Sequence, residues 1–153
     1  MHVLKKTTKL PISISQAWDF FSNPKNLKIL TPEYLSFDIC SEFHKPGMYS
    51  GMIVTYKVTP LFHIPIRWMT EITHVEDYIF FVDEQRFGPY RLWHHQHHFK
   101  EIEGGVEMTD IIDYIMPFGF IGKLVEPFVV RPKLEEIFSY RERKMVSIFG
   151  TIN

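Results

Sequence analysis

The chain has a single cysteine, Cys40, among its 153 residues. One thiol excludes an intramolecular disulfide framework and any zinc site built on several cysteines. Cys40 lies amid Phe37, Asp38, Ile39 and Ser41, where nothing lowers a thiol pKa, so it reads as a small strand residue rather than a nucleophile. The formal net charge is only -1 and the pI is near 6.7, so the basic field on which phosphate-backbone binding depends is missing and nucleic acid is not an expected partner. The apolar stretches are short and interrupted, and residues 1–15 contain no apolar core of signal-peptide length. A cytoplasmic protein without stable membrane insertion is the resulting expectation.

Nucleotide-binding and nucleophile motifs are missing too. Gly104-Gly105 is followed by neither the Lys-Ser/Thr pair of a phosphate loop nor the Gly-x-Gly-x-x-Gly spacing of a dinucleotide fold. No serine stands in a Gly-x-Ser-x-Gly elbow. Kinases, dinucleotide oxidoreductases and serine hydrolases of the common types are thereby set aside, and no cofactor is expected.

What the chain has is aromatic bulk. Its 14 Phe, 7 Tyr and 3 Trp make 16% of the sequence, against ordinary globular fractions of 45% hydrophobic and 23% charged residues. Such rings fill a core or line a concave pocket. At this length one domain over 1–153 is expected, burying about two-thirds of the surface its unfolded chain would expose.

Hydrophobic periodicity divides the chain into four parts. His2 to Leu10 is Thr- and Lys-rich and ends at Pro11, which suits an edge strand. Ser13 or Ser15 then caps a helix carrying Ala17, Trp18, Phe20 and Phe21, and Lys25 to Leu30 forms a second short one. From Tyr34 to Ile115 the pattern alternates and predicts six antiparallel strands, each beside its predecessor. Their breaks fall at Lys45-Pro46-Gly47, Thr59-Pro60, Glu76-Asp77, Gly88-Pro89 and Glu103-Gly104-Gly105. Past Pro117 the period is helical again. Ile121, Leu124, Val125 and Phe128, then Leu134, Ile137, Phe138, Arg141, Met145 and Ile148, fall on or near one stripe, broken at Pro127 and Pro132. A short helix over 120–126, a bend and a main helix over 132–149 follow, with Ile137, Phe138, Arg141 and Met145 toward the sheet.

This order resembles the helix-grip superfamily, also called START-like or SRPBCC, which includes START-related lipid-transfer proteins, the birch-pollen-allergen type and bacterial polyketide cyclases or dehydratases. The likeness rests on Trp18-Asp19-Phe20-Phe21 with Asn23-Pro24 and Leu30-Thr31-Pro32, and on Trp68 to Ile72. It continues in Phe81-x-Asp83-x-Gln85-x-x-Gly88-Pro89-Tyr90-x-x-Trp93-x-His95-x-His97-x-Phe99. Gly105-x-x-Met108-x-Asp110-x-Ile112-x-Tyr114-x-x-Pro117-x-Gly119-x-x-Gly122 and Leu134-x-x-Ile137-Phe138-x-Tyr140-Arg141 complete it. It covers nearly the whole chain and is closest to the small bacterial ligand-binding or cell-division-inhibitor-like branch. The implied architecture is α+β: a curved six- to seven-stranded antiparallel sheet wrapped around a long C-terminal helix, with two short helices after the first strand. It also implies a cavity between sheet and helix for lipids, polyketides, hormones or aromatic compounds.

Within this frame His94-His95-Gln96-His97-His98 is the most conspicuous run. On a strand, period two sends His95 and His97 to the face of Trp93 and Phe99, and His94 and His98 to the other. A His-x-His pair can chelate, with Asp83, Glu71, Asp110 or Asp113 as third ligand, yet polar packing is the preferred reading and no metal is expected. Phe81, Asp83 and Gln85 share one face, as do Met108, Asp110, Ile112 and Tyr114. If these faces are the concave one, Trp68, Asp83, Gln85, Tyr90, Trp93, His95, His97, Tyr114, Phe118 and Phe128 are ligand-binding candidates, with Phe120 beside them. The function expected is a carrier or sensor of a small hydrophobic ligand. The alternative is a cyclase- or dehydratase-type enzyme using His95 or His97 with Asp83 or Asp110 as an acid/base pair. Cross-strand hydrogen bonding that only fixes the sheet explains the same residues. Arg141 and Arg143, with Glu135, Glu136 and Glu142, read as a solvated, ion-paired helix face. The apolar tip over 59–65 reads as a loop over the cavity mouth, or, exposed, as a surface for a membrane, a partner or a homodimer.

Overall fold

The computed structural model describes residues 1–43, 47–59 and 64–152. Seven strands form one antiparallel sheet: β1 (His2–Leu10), β2 (Asp38–Ile39), β3 (Met52–Val58), β4 (Ile66–Glu76), β5 (Phe80–Phe87), β6 (Leu92–Ile102) and β7 (Gly105–Ile115). Their spatial order is β1-β7-β6-β5-β4-β3-β2. The alternating segments thus form six strands in series, each beside its predecessor from β2 to β7, while β1 pairs with β7 along its whole length, from His2 opposite Tyr114 to Leu10 opposite Val106. β1 is an edge, as its lysines and terminal Pro11 require. The expected turn at residues 45–46 and the apolar tip at 60–63 lie outside the described residues.

Between β1 and β2 the chain makes helix α1 (Ile14–Phe21) and short 3-10 turns at Pro24–Lys28 and Glu33–Leu35. Ser13 starts α1 through a reciprocal capping box: its hydroxyl accepts from the Gln16 N–H at 3.2 Å, and its own N–H donates to Gln16 Oε1 at 3.0 Å. Asn23 caps the next turn by accepting from the Lys25 N–H at 3.1 Å. Trp18 and Phe21 from α1 pack with Phe81, Phe99 and Met108 of the sheet and Met145 of the last helix, closing one end of the core.

The C-terminal segment is helical from Gly119 to Phe149: α2 (Gly119–Val125), a π turn over Glu126–Val130, and α3 (Arg131–Phe149). Pro132 sits in the first turn of α3, where its missing N–H costs nothing. The buried stripe is the expected one in α3 but differs in the segment before it. Along α2 and the π turn it consists of Gly122, Glu126 and Val130, continued by Leu134, Phe138, Arg141 and Met145 in α3. Phe120, Ile121, Leu124 and Phe128 face outward. The cause is the entry into the helix. Phe118 and Gly119 both take left-handed backbone conformations, φ 63° and 53°, and turn the chain sharply out of β7. Gly122 then lies so close to the Pro117 carbonyl that a Cβ would stand 2.1 Å from its oxygen.

Candidate functional site

Inner-face residues of β3 to β6, the turns after α1 and the α3 stripe enclose a cavity of about 250 Å³. Its wall is mostly apolar and aromatic, with Tyr56, Trp68, Ile72, Phe81, Tyr90, Trp93, Leu134 and Phe138 among the lining residues. Trp68 is the hinge of the aromatic side, with ring centroids 5.9 Å from Tyr56, 5.5 Å from Tyr90 and 5.4 Å from Trp93. Tyr56 is oriented by its hydroxyl, 2.9 Å from Thr70 Oγ1. Burial pushes the Tyr56 phenol above its ordinary pKa, so it is a neutral hydrogen-bonding group.

A cluster of buried charged side chains interrupts this wall, with Thr31, Thr70 and Lys133 adding polar groups elsewhere along it. β6 presents His95 and His97 inward, opposite Asp83 on β5 and Asp110 on β7: Asp83 pairs in register with His95, and Asp110 with His97. His95 Nε2 lies 3.0 Å from Asp110 Oδ1 and its Nδ1 3.3 Å from Asp83 Oδ2. His97 Nε2 lies 2.9 Å from the same Asp83 oxygen. Its Nδ1 is 2.8 Å from Asp110 Oδ1, but in a direction that makes no hydrogen bond. Arg141 descends from α3 to bring Nη2 within 3.6 Å of Asp110 Oδ1.

Two carboxylates, one guanidinium and two imidazoles balance best with one proton on the histidine pair. Burial alone disfavours the charged form of every member. For Asp110 that effect is outweighed by the Arg141 charge, the bond to His95 and the close approach of His97, which hold its pKa well below the carboxylate range. Asp83 is likewise lowered against its burial, by His95, His97 and Arg141. For His97, burial is overcome by Asp110 and Asp83, and its pKa rises. For His95, burial and the neighbouring His97 charge prevail over both aspartates, and its pKa falls. Of the pair, His97 is therefore the group that holds a proton more readily.

Of the residues singled out in the sequence, Trp68, Asp83, Tyr90, Trp93, His95 and His97 line the cavity. Four ligand-binding candidates do not. Gln85 is occupied by the β5–β6 turn, donating from Nε2 to the Tyr90 carbonyl at 2.6 Å and accepting from the Tyr90 N–H. Tyr114 is buried behind the cavity wall, where its hydroxyl donates to the buried Glu126 carboxylate. Phe118 and Phe128 are each 82% exposed, because the left-handed turn at Phe118 carries this side of the helix outward; Phe120 follows them. Asp110, an acid/base candidate, lies behind the two histidines rather than on the cavity wall. His94 and His98 are on the outer face, where His94 Nδ1 meets Glu84 Oε1 at 3.0 Å.

Arg141 corrects the reading of α3. It belongs not to a solvated face but to the cavity wall, 8% exposed, one turn from Phe138 and Met145. The signal was its position on the apolar stripe, against which its charge was misleading. Asp83, His95 and His97 each offer one ligand atom within 4.8 Å of one another, a spacing a cation could bridge. The Arg141 cation and the hydrogen bonds already linking these groups oppose it.

No protein-family model matches the chain, and no curated protein is significantly similar to it. Solved structures are similar over nearly its full length. Protein CV1439 from Chromobacterium violaceum superposes with a TM-score of 0.73 at 8% identity, covering 98% of both chains. Protein Ms6760 from Mycobacterium smegmatis gives 0.63 at 18% identity, covering 95% of this chain and 92% of its own. Ara h 8.0201 gives 0.59 at 13% identity, covering 95% and 98%. The chain has the helix-grip fold: a curved seven-stranded antiparallel sheet closed by a long C-terminal helix, with short helices after the first strand. Within that fold this chain places a histidine-aspartate-arginine cluster beside a mostly aromatic and aliphatic cavity.

Proposed function

We propose that this protein binds a small, largely apolar ligand between sheet and α3, as a cytoplasmic carrier or sensor. The observation that carries the reading is the cavity itself: about 250 Å³, walled mostly by aromatic and aliphatic side chains, with its buried charged groups gathered in one cluster. Protein interiors pack densely, and a void of this size forfeits dispersion contacts along its whole lining. An apolar guest restores those contacts and removes its own surface from water.

The cyclase or dehydratase alternative draws on the same histidines. It is less well supported, because Asp83, Asp110, His95 and His97 bond chiefly to one another and so behave as a self-satisfied network. Native mass spectrometry of the purified protein tests the binding reading. A bound lipid or aromatic compound, or saturable uptake of a neutral apolar dye, is the expected result; a protein that takes up neither contradicts it.

A further inference from the structure

Among the described residues, three buried side-chain polar atoms have no hydrogen-bond partner: Trp68 Nε1, Arg141 Nε and His97 Nδ1. All three belong to residues that line the cavity. Buried polar groups are nearly always paired, and leaving one unpaired costs more than a typical hydrogen bond contributes. His97 Nδ1 faces Asp110 Oδ1 at 2.8 Å, so the other two, Trp68 Nε1 and Arg141 Nε, are the atoms that describe what the cavity holds.

Two of the three can only donate: the indole N–H and the guanidinium N–H have no acceptor function. They come from the two walls, Trp68 from β4 and Arg141 from α3. The remaining contact of Arg141 with Asp110, at 3.6 Å, is beyond hydrogen-bond length, so its guanidinium retains donor capacity. The matching ligand group is an acceptor oxygen. Charge selects which kind. Asp83 lines the cavity and Asp110 stands directly behind the histidines. Arg141 and the two imidazoles already stand against these two carboxylates. A ligand carboxylate would bring a third anion into this buried cluster, and the other cation lining the cavity among the described residues, Lys133, is already taken up by Glu136 at 2.9 Å.

Resting on the binding function proposed above, we infer that the ligand is an uncharged compound with a carbonyl oxygen, of the ketone, ester or quinone kind, and that Trp68 and Arg141 select it over both hydrocarbons and free carboxylates. Each orphan donor is closed off from solvent, so engagement goes with a small side-chain rotation of the sort common at binding sites. The aromatic wall holds the body of the ligand and the donors hold its oxygen.

Three naphthalenes of nearly equal shape test this: methyl naphthyl ketone, ethylnaphthalene and naphthoate, each competing against the neutral dye N-phenylnaphthylamine on the intact chain. Ethylnaphthalene is the most hydrophobic, so any preference for the ketone measures the polar contacts. The expected result is displacement by the ketone at about tenfold lower concentration than by ethylnaphthalene, with naphthoate weakest. Trp68→Phe and Arg141→Met should each shrink the ketone's advantage while ethylnaphthalene still competes; Trp68→Phe, a change of one ring for another, covers the case in which Arg141→Met does not fold. Equal or better binding of ethylnaphthalene, or tightest binding of naphthoate, overturns the inference and leaves the apolar cavity standing. A chain that binds neither the dye nor any naphthalene overturns both.

Discussion

The imidazoles of His95 and His97 lie with ring centroids 3.8 Å apart on the inner face of β6, and Asp83 Oδ2 stands within 3.3 Å of a nitrogen of each. Two adjacent histidines held between two carboxylates cannot titrate independently. Their environments push them apart, His97 upward and His95 downward from 6.5. Long-range proton-nitrogen NMR should therefore find their midpoints on opposite sides of 6.5; two unshifted, superimposable titrations would contradict the cluster as described. The stability consequences have opposite signs. The raised pKa of His97 contributes stability that is complete below pH 6.5 and is lost as pH rises through its folded value, so His97→Gln should flatten this loss above pH 6.5. The lowered pKa of His95 works in reverse, because below pH 6.5 the unfolded chain takes up that proton first.

Asp110 is the anchor of the cluster, buried beneath both histidines and Arg141. Asp110→Asn leaves a buried guanidinium with one fewer counter-charge, and urea unfolding should show a loss of about 3 kcal/mol or more at neutral pH. The lowered carboxyl pKa sets the acid limb: its contribution is full above 3.8 and is lost as pH falls through the folded value, well below that. The wild-type advantage over Asp110→Asn should thus persist to pH 4 and vanish in stronger acid. An equal midpoint at neutral pH would remove Asp110 from its assigned role.

Two of the three tryptophans, Trp68 and Trp93, line the cavity, while Trp18 packs in the core beside Phe81 and Phe99. Occupation of the cavity should change tryptophan emission. That change should disappear in a Trp68→Phe, Trp93→Phe double variant and survive in Trp18→Phe; the reverse pattern would place the ligand elsewhere.

Gly122 is fixed by contact rather than by backbone conformation. Gly122→Ala puts a methyl 2.1 Å from the Pro117 carbonyl oxygen and 2.9 Å from Met116 Cβ, so the helix entry must shift. A loss of roughly 1–3 kcal/mol in chemical unfolding is expected, against the usual gain from replacing a helical glycine by alanine. Unchanged or higher stability would show that the helix does not sit this tightly on the turn.

On the outward side of the same segment the expectation reverses. Phe128→Ser removes a ring that is 82% exposed, and stability should stay within about 0.5 kcal/mol with dye uptake unaltered. A large loss on either measure would return Phe128 to the core or to the cavity.

Strands, their breaks, the edge position of β1 and the capped α1 were legible because each depends on neighbours in sequence: the period of two, the turn formers and a Ser13–Gln16 box. The inward face of His95 and His97 was legible for the same reason, since one register assumption orients the whole strand. What only the tertiary structure decided is which face of the helical segment before α3 is buried, and that the charge of Arg141 goes inward with the α3 stripe. The left-handed turn at Phe118 and the contact at Gly122 rotate that helix, sending Phe120 and Phe128 outward while Glu126 and Arg141 go in. Both are buried against partners that the helix's own period does not reveal, Tyr114, His2 and Arg131 around Glu126 and Asp110 beside Arg141. Periodicity sees a residue's own polarity and spacing; it has no access to a counter-charge thirty residues away.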